Sequence, residues 1–296
     1  MLTKTLLIAS LAVVVFTGGA SADSLVYVVT DTQQFGTVDL NSGAFHQIGA
    51  DTPAPQVNLV PGPNGSLLSL TFSGNLESIN PGTGAVSVIG ATGLASFDLA
   101  EVGGALYATD LNNNLYSINT TTGAAHLVGA TGIPAAPLSD PNAVFDESLY
   151  GVGGKLYATF DAFDLPVSSP GIITSPALYQ IDPLTGVATK VGSTMLGLSA
   201  SVDVNGEFYA FHEGLADPSC VGPAPVPCRS DAELFMLNLA NGNTNFVTDV
   251  DPSATAILGA SPVVPEPTSI ALAGLGIAAL VALARRRRGE LKFEPE

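Results

Sequence analysis

The sequence predicts an all-β fold, a five-bladed β-propeller, and three observations carry the prediction. A phrase of about 40 residues recurs, which is the length of one four-stranded blade. The turn glycine of each copy falls at Gly43, Gly84, Gly123, Gly186 and Gly242, spaced 41, 39, 63 and 56 residues apart, so insertions account for the two long intervals. A final apolar run, SATAILGAS (253–261), belongs to no complete copy. No helical periodicity interrupts residues 23–262.

The clearest copy is GGALYATDLNNNLYSINTTTGAAHLVGATG (103–132), preceded by NGSLLSLTFSGNLESINPGTGAVSVIGATG (64–93). A third opens GGKLYATFDAF at Gly153 and resumes ALYQIDPLTGVATKVGST at Ala177. A fourth opens NGEFYAFHEGL at Asn205 and resumes ELFMLNLANGNTNFVTD at Glu233. The first in chain order is SLVYVVTDTQQFGTVDLNSGAFHQIGA, from Ser24. Each reads as three strands, with aromatic and β-branched residues in stretches such as LYAT and LYSI and a glycine where a hairpin needs positive φ. A fourth strand precedes the opening turn in LASFDLAEV (94–102), NAVFDESLYGV (142–152) and LSASVDV (198–204). The first copy has none, and the surplus run 253–261 is expected to supply it and close the ring. The competing arrangements are a pair of β-sandwiches and an open β array.

Both chain ends carry other signals. Lys4, the apolar run Leu6–Phe16 and the small-residue exit Ala20-Ser21-Ala22 make a secretory signal, residues 1–22, with cleavage between Ala22 and Asp23 by signal peptidase. The repeat domain then spans 23–261. Residues 262–268 form a Pro-rich linker. Ser269–Ala284 is uncharged and apolar, about 24 Å long as a helix against a hydrocarbon core of about 30 Å. Arg285, Arg286, Arg287 and Arg288 would snorkel and hold that end on the cytoplasmic side, leaving the body outside. Residues 289–296 are a short tail. Between residues 23 and 263 stand three basic and 22 acidic side chains, hence a net charge of −19. Such a surface repels phosphate backbones, so nucleic acid is not an expected partner.

The C-terminal order, Val264-Pro265-Glu266-Pro267, then the apolar segment, then the arginine cluster, resembles the PEP-CTERM sorting signal of Gram-negative bacteria. The resemblance covers about 25 residues, and GELKFEPE after the arginines departs from it, since such tails usually stop at the basic cluster. It implies recognition by exosortase, a membrane-embedded transpeptidase-like enzyme, transient residence in the inner membrane through residues 269–288, and delivery to the cell surface or extracellular matrix. It also implies an association with exopolysaccharide and biofilm formation. The repeated LYxI(N/D)xxTG pattern is similar to uncharacterised repeat domains found on such tails.

Chemistry in the body is sparse. Cys220 and Cys228 are expected to form a local disulfide in an exported protein, and two thiols alone do not complete a metal shell. His46 and His126 fall at a solvent-facing strand position; His212, at a strand end, is the better ligand candidate. No nucleophile elbow, P-loop, HExxH or EF-hand loop occurs, so no metal and no cofactor is predicted; calcium has no motif behind it. Asp146-Glu147 and Asp161/Asp164 read as isolated, solvated loop carboxylates. Asp98 and Asp203, both on innermost strands, are the only catalytic candidates if the domain cleaves a glycan. The insertions 161–176 and 213–231 both interrupt the link from second to third strand, and should meet on one face of adjacent blades. Phe160, Phe163 and Phe211 beside them are candidates to stack on sugar rings. Two functions follow: a non-enzymatic surface or matrix protein that binds exopolysaccharide, or a hydrolase or lyase acting on an extracellular glycan or lactone. A pure spacer is a third.

Overall fold

A computed structural model describes residues 24–133, 143–164, 176–194, 197–212, 232–254 and 256–263, with backbone alone at 96–97, 143–147 and 161–164. Among them, twenty strands form five four-stranded antiparallel sheets. From the inner strand outwards, blade 1 is β20 (Ile257–Pro262), β1 (Leu25–Thr30), β2 (Phe35–Asp39) and β3 (Phe45–Gln47). Blade 2 is β4 (Gln56–Pro61), β5 (Leu67–Thr71), β6 (Asn75–Ile79) and β7 (Val86–Ala91). Blade 3 is β8 (Ser96–Val102), β9 (Ala105–Asp110), β10 (Asn114–Ile118) and β11 (Ala125–Ala130). Blade 4 is β12 (Ala143–Val152), β13 (Lys155–Asp164), β14 (Ala177–Ile181) and β15 (Ala188–Ser193). Blade 5 is β16 (Ala200–Val204), β17 (Glu207–His212), β18 (Glu233–Leu237) and β19 (Thr244–Asp249).

The inner strands β20, β4, β8, β12 and β16 neighbour one another in a closed circuit. Closure comes from the surplus run: β20 pairs with β1, Val26 opposite Pro262 and Val29 opposite Gly259. Pro262, the first residue of the sequence-defined linker, is thus still in the strand. Inner strand β4 carries no counterpart among the fourth strands picked out of the sequence, because a bulge between Val57 and Val60 breaks its alternation.

Each sheet is sandwiched between two others, so both of its faces are buried, and the core divides into five clusters, one per blade interface. Val26, Val28 and Val38 meet Ala200, Val202 and Phe211 between blades 1 and 5. Val29 and Phe35 meet Leu59 and Ile79 between blades 1 and 2. Leu68 and Leu70 meet Leu99 and Leu106 between blades 2 and 3. Ala100 and Leu115 meet Leu149 and Leu156 between blades 3 and 4. Tyr150 and Leu178 meet Phe208 and Ala210 between blades 4 and 5. This two-sided burial is why a strand such as LLSLT, buried at every position, reads as a continuous run rather than a strict alternation.

The repeated Asx-x-x-x-Gly turn has a local cause. In blade 3 Asn119 Oδ1 accepts from the Thr121 and Thr122 N–H groups at 2.9 and 3.0 Å, and its carbonyl accepts from Gly123 N–H at 2.8 Å. Gly123 has φ +77°, a region that costs an L side chain about 1–2 kcal/mol. Asp39, Asn80, Asp182 and Asn238 make the same turn in the other blades. This is the (N/D)xxTG of the repeat.

The glycine late in outer strands β7, β11 and β15 serves packing instead. A Cβ on Gly192 would lie 1.9 Å from the carbonyl oxygen of Asn241, in the turn of the next blade; Gly90 and Gly129 meet Thr122 and Thr185 in the same way. Gly192→Ala is expected to push blades 4 and 5 apart and lower Tm by about 4–10 °C, from an overpacking cost of about 1–3 kcal/mol. Gly82→Ala, whose Cβ would meet nothing closer than 3.5 Å, is the matched control and should hardly move it. Equal thermal shifts by calorimetry would show that the blade contact is not rigid.

Candidate functional site

The polar groups with the most constrained geometry converge on the propeller axis. The bulge in β4 puts Asn58 in the left-handed region, φ +51°, and aims its side chain across the ring. Asn58 Nδ2 donates to the Leu149 carbonyl of β12 at 2.9 Å and lies 3.4 Å from Asp98 Oδ1 on β8; its Oδ1 accepts from Leu59 N–H at 2.9 Å. Ser69 Oγ lies 2.8 Å from the Asn58 carbonyl and 3.1 Å from that of Val57, fastening the bulge from β5. On the neighbouring inner strand β20, Gly259 admits the bulge: a Cβ there would lie 2.4 Å from Asn58 Cα. The Asn58 side chain thus links β4 to β12, an inner strand that is not its neighbour in the ring. Blades 4 and 5 are joined by Ser148 Oγ and Ser201 Oγ, 3.1 Å apart, and blades 5 and 1 by Ser199 Oγ donating to Ile257 carbonyl at 2.8 Å.

Asn58, Asp98, Ser148, Ser201 and Ser261 are buried, and Ser199 is half-buried. Tyr150, stacked on Tyr157 and tilted against Phe208, is buried as well, and its hydroxyl has no hydrogen-bond partner among the described residues. Burial, then the nearby Tyr157 and the Asp98 carboxylate, push its phenol well above the usual range, so it stays protonated. A second buried pair, Gln56 Nε2 donating to Glu77 Oε2 at 2.7 Å, braces blade 2. The sequence singles out Asp98 from this set and none of its partners.

Asp98 and Asp203 are not brought together. They stand on inner strands that are not neighbours in the ring. Asp98 lies deep in β8 opposite Thr109, whereas Asp203, partly exposed, is one residue from the β16–β17 turn and accepts from Gly206 N–H at 3.0 Å. Glu101 accepts from Gly104 N–H at the matching turn of blade 3. Asp203 is thus a turn cap by its contacts.

The far ends of the second strands explain His212. In blades 1 to 3 that position holds Thr30, Thr71 and Asp110, whose side-chain oxygens accept from the N–H four residues on, Gln34, Asn75 and Asn114, at 3.1, 3.0 and 2.9 Å, and so close a short turn. Burial would raise the Asp110 carboxyl, but hydrogen bonds from Asn114, Asn112 and Tyr116 outweigh it and hold the group below its ordinary range. Blades 4 and 5, which carry the insertions, have Phe160 and His212 instead. His212 is buried, and its Nδ1 donates to the Gly197 carbonyl at 2.6 Å, which occupies that nitrogen as a ligand. His46 and His126 are exposed on outer strands, where the sequence puts them.

The aromatic expectation needs correction. Phe211 is fully buried between blades 5 and 1, and Phe160 is 4 % exposed between blades 3 and 4, so neither ring is free to stack on a sugar. The Phe163 side chain lies outside the described residues. Residues 161–164 continue β13 rather than opening a loop, and the register puts Asp146 opposite Asp161 on one hairpin; the two acidic pairs are neighbours in the ladder, not isolated. Among the described residues no three His, Cys, Asp or Glu side chains converge as a metal site would require. The insertion residues 165–175 and 213–231 with Cys220 and Cys228, the signal with Ala22 and Asp23, and the tail from Val264 onward lie outside the described residues. Among the described residues no helix is long and apolar enough to cross a membrane.

No curated protein matches the chain in sequence. Solved structures with a similar arrangement include a structural genomics protein of unknown function from Bacteroides thetaiotaomicron VPI-5482, at 15% identity and TM-score 0.46, covering 73% of this chain and 53% of that one. The computationally designed Ika8 protein aligns at 10% identity and TM-score 0.34, covering 80% of this chain and 61% of the design. The chain spans less than two thirds of either. The match that bears on function is at the C-terminus, where β20 gives way to Pro-Glu-Pro, an apolar stretch and four arginines: residues 263–288 are a PEP-CTERM protein-sorting motif, carried directly behind the closing strand of a five-bladed propeller.

Proposed function

We propose that this protein is an exported, exosortase-sorted component of the cell surface or extracellular matrix, and that its propeller binds or scaffolds exopolysaccharide without cleaving it. The observation that supports this reading is the PEP-CTERM motif beginning one residue after β20, which makes the closed ring the cargo of the sorting reaction. An export signal ahead of the ring and strong negative charge fit a protein kept soluble outside the cell by self-repulsion. The axis supplies a second argument. A site that cleaves glycans by acid–base chemistry needs two carboxylates facing one substrate across several ångströms. Asp98 is instead held behind the β4 bulge and Asp203 caps a turn.

The test mixes purified body, residues 23–263, with exopolysaccharide from the producing cells and scores co-sedimentation and released sugar together. Co-sedimentation without release is the expected result. Release of reducing or unsaturated sugar that is lost in Asp98→Asn would overturn it in favour of a hydrolase or lyase. Absence of both would leave the spacer role.

A further inference from the structure

The direction of β20 fixes which face of the propeller the sorting tail leaves from. β20 is antiparallel to β1, with Pro262 opposite Val26, so the chain exits beside the start of β1. That end of the ring carries the turns from first to second strand, at Asn64-Gly65, Gly103-Gly104, Gly153-Gly154 and Asn205-Gly206, and the five Asx turns. The opposite face carries the links from second to third strand, including Asp164 and His212, from which the insertions of blades 4 and 5 depart.

Only six residues, 263–268, separate the end of β20 from the apolar segment that begins at Ser269. Fully extended they reach about 20 Å. A five- or six-residue strand is itself about 17–20 Å long, so the tether is no longer than the blade is tall. A rigid ring on so short a tether, attached at its central strand, cannot turn its other face to the bilayer. The geometry points to the turn face as the surface that looks at the membrane while the tail is inserted, with the insertion-bearing face turned outward; this rests on the PEP-CTERM reading of the tail. The occupant of the gap is the outer surface of the inner membrane. The turn face does not dock on it: Glu101, Asp203 and Glu207 lie there with Lys155 as the counter-charge, and an anionic headgroup layer repels such a surface within a Debye length of about 8 Å. Repulsion and tether together hold the ring off the lipid.

The test uses the full chain expressed in a bacterium lacking the processing enzyme, with a fluorescent amino acid at one exposed site per variant. Lys155 and Thr121 report the turn face; Ser73 and Asn112 report the opposite face. Two sites on each face guard against a variant that does not fold. Energy transfer to a headgroup dye in the isolated membranes should be about twofold or more higher from Lys155 and Thr121, because the faces stand about 20 Å apart. Equal transfer from all four sites, or higher transfer from Ser73 and Asn112, overturns the orientation while leaving the sorting reading intact. Recovery of the chain in the soluble fraction overturns both.

Discussion

A chain ending at Ala256 should lose cooperative unfolding above room temperature, whereas one ending at Val263 should melt cooperatively as a closed ring. The difference is β20 alone. Its removal strips the ladder from β1 and takes away Ile257 and Ala260, which are buried against blades 5 and 1. It also uncovers Val26 and Val28, both buried in the closed ring. Burying one Ile is worth about 1.5–3 kcal/mol, and each of about five ladder hydrogen bonds about 1 kcal/mol. The sum is comparable with the whole stability of a domain, about 5–15 kcal/mol. The open ring would further present β1 as an unprotected edge, an aggregation hazard. Circular dichroism melts and limited proteolysis of the two truncations settle the matter. A cooperative melt of the shorter chain within a few degrees of the longer would mean that four blades and a remnant suffice, as in an open array. The same argument bears on processing: a cut upstream of Pro262 would open the ring.

Much of this architecture is legible in the sequence because its causes are local. The five Asx turns need only an Asn or Asp followed four residues later by Gly, and both residues stand in every repeat. Ring closure is legible because the run 253–261 has no other partner. The parts that resist reading depend on distant contacts. Strand β4, QVNLVP, escapes the repeat because its bulge hides the alternation, although an Asn at positive φ is a common way to build one. With β4 hidden, the partner of Asp98 is hidden too. Phe160 and Phe211 look like loop-flanking aromatics, but in a blade buried on both faces an aromatic beside an insertion is still core. Asp203 looks equivalent to Asp98 by strand and differs by register, which only the pairing reveals.

Asn58→Ala should be the most damaging single substitution at the axis, lowering Tm by about 6–12 °C. Three losses combine. The Leu149 carbonyl, the Asp98 carboxylate and the Leu59 N–H each lose a hydrogen-bond partner in a buried setting, where one unsatisfied polar group costs about 1–3 kcal/mol. Alanine must also hold φ near +51°, at about 1 kcal/mol. With partial relaxation the total is about 3 kcal/mol, and a domain of this size loses about 2–4 °C per kcal/mol. Asn58→Gly separates the terms: it restores the backbone and not the side chain, so it should regain a minor part. Asn58→Asp keeps the shape, removes the Nδ2 donor and sets a second carboxylate beside Asp98. Repulsion and burial then raise that pair's folded pKa above its unfolded value of about 4. The penalty is therefore largest at neutral pH and shrinks as pH falls towards that range. Calorimetry of the three variants at pH 7 and pH 5 reads all of this directly. A loss below about 2 °C in Asn58→Ala would mean that the axis repacks around the gap and that Asn58 is not the latch between blades 2, 3 and 4.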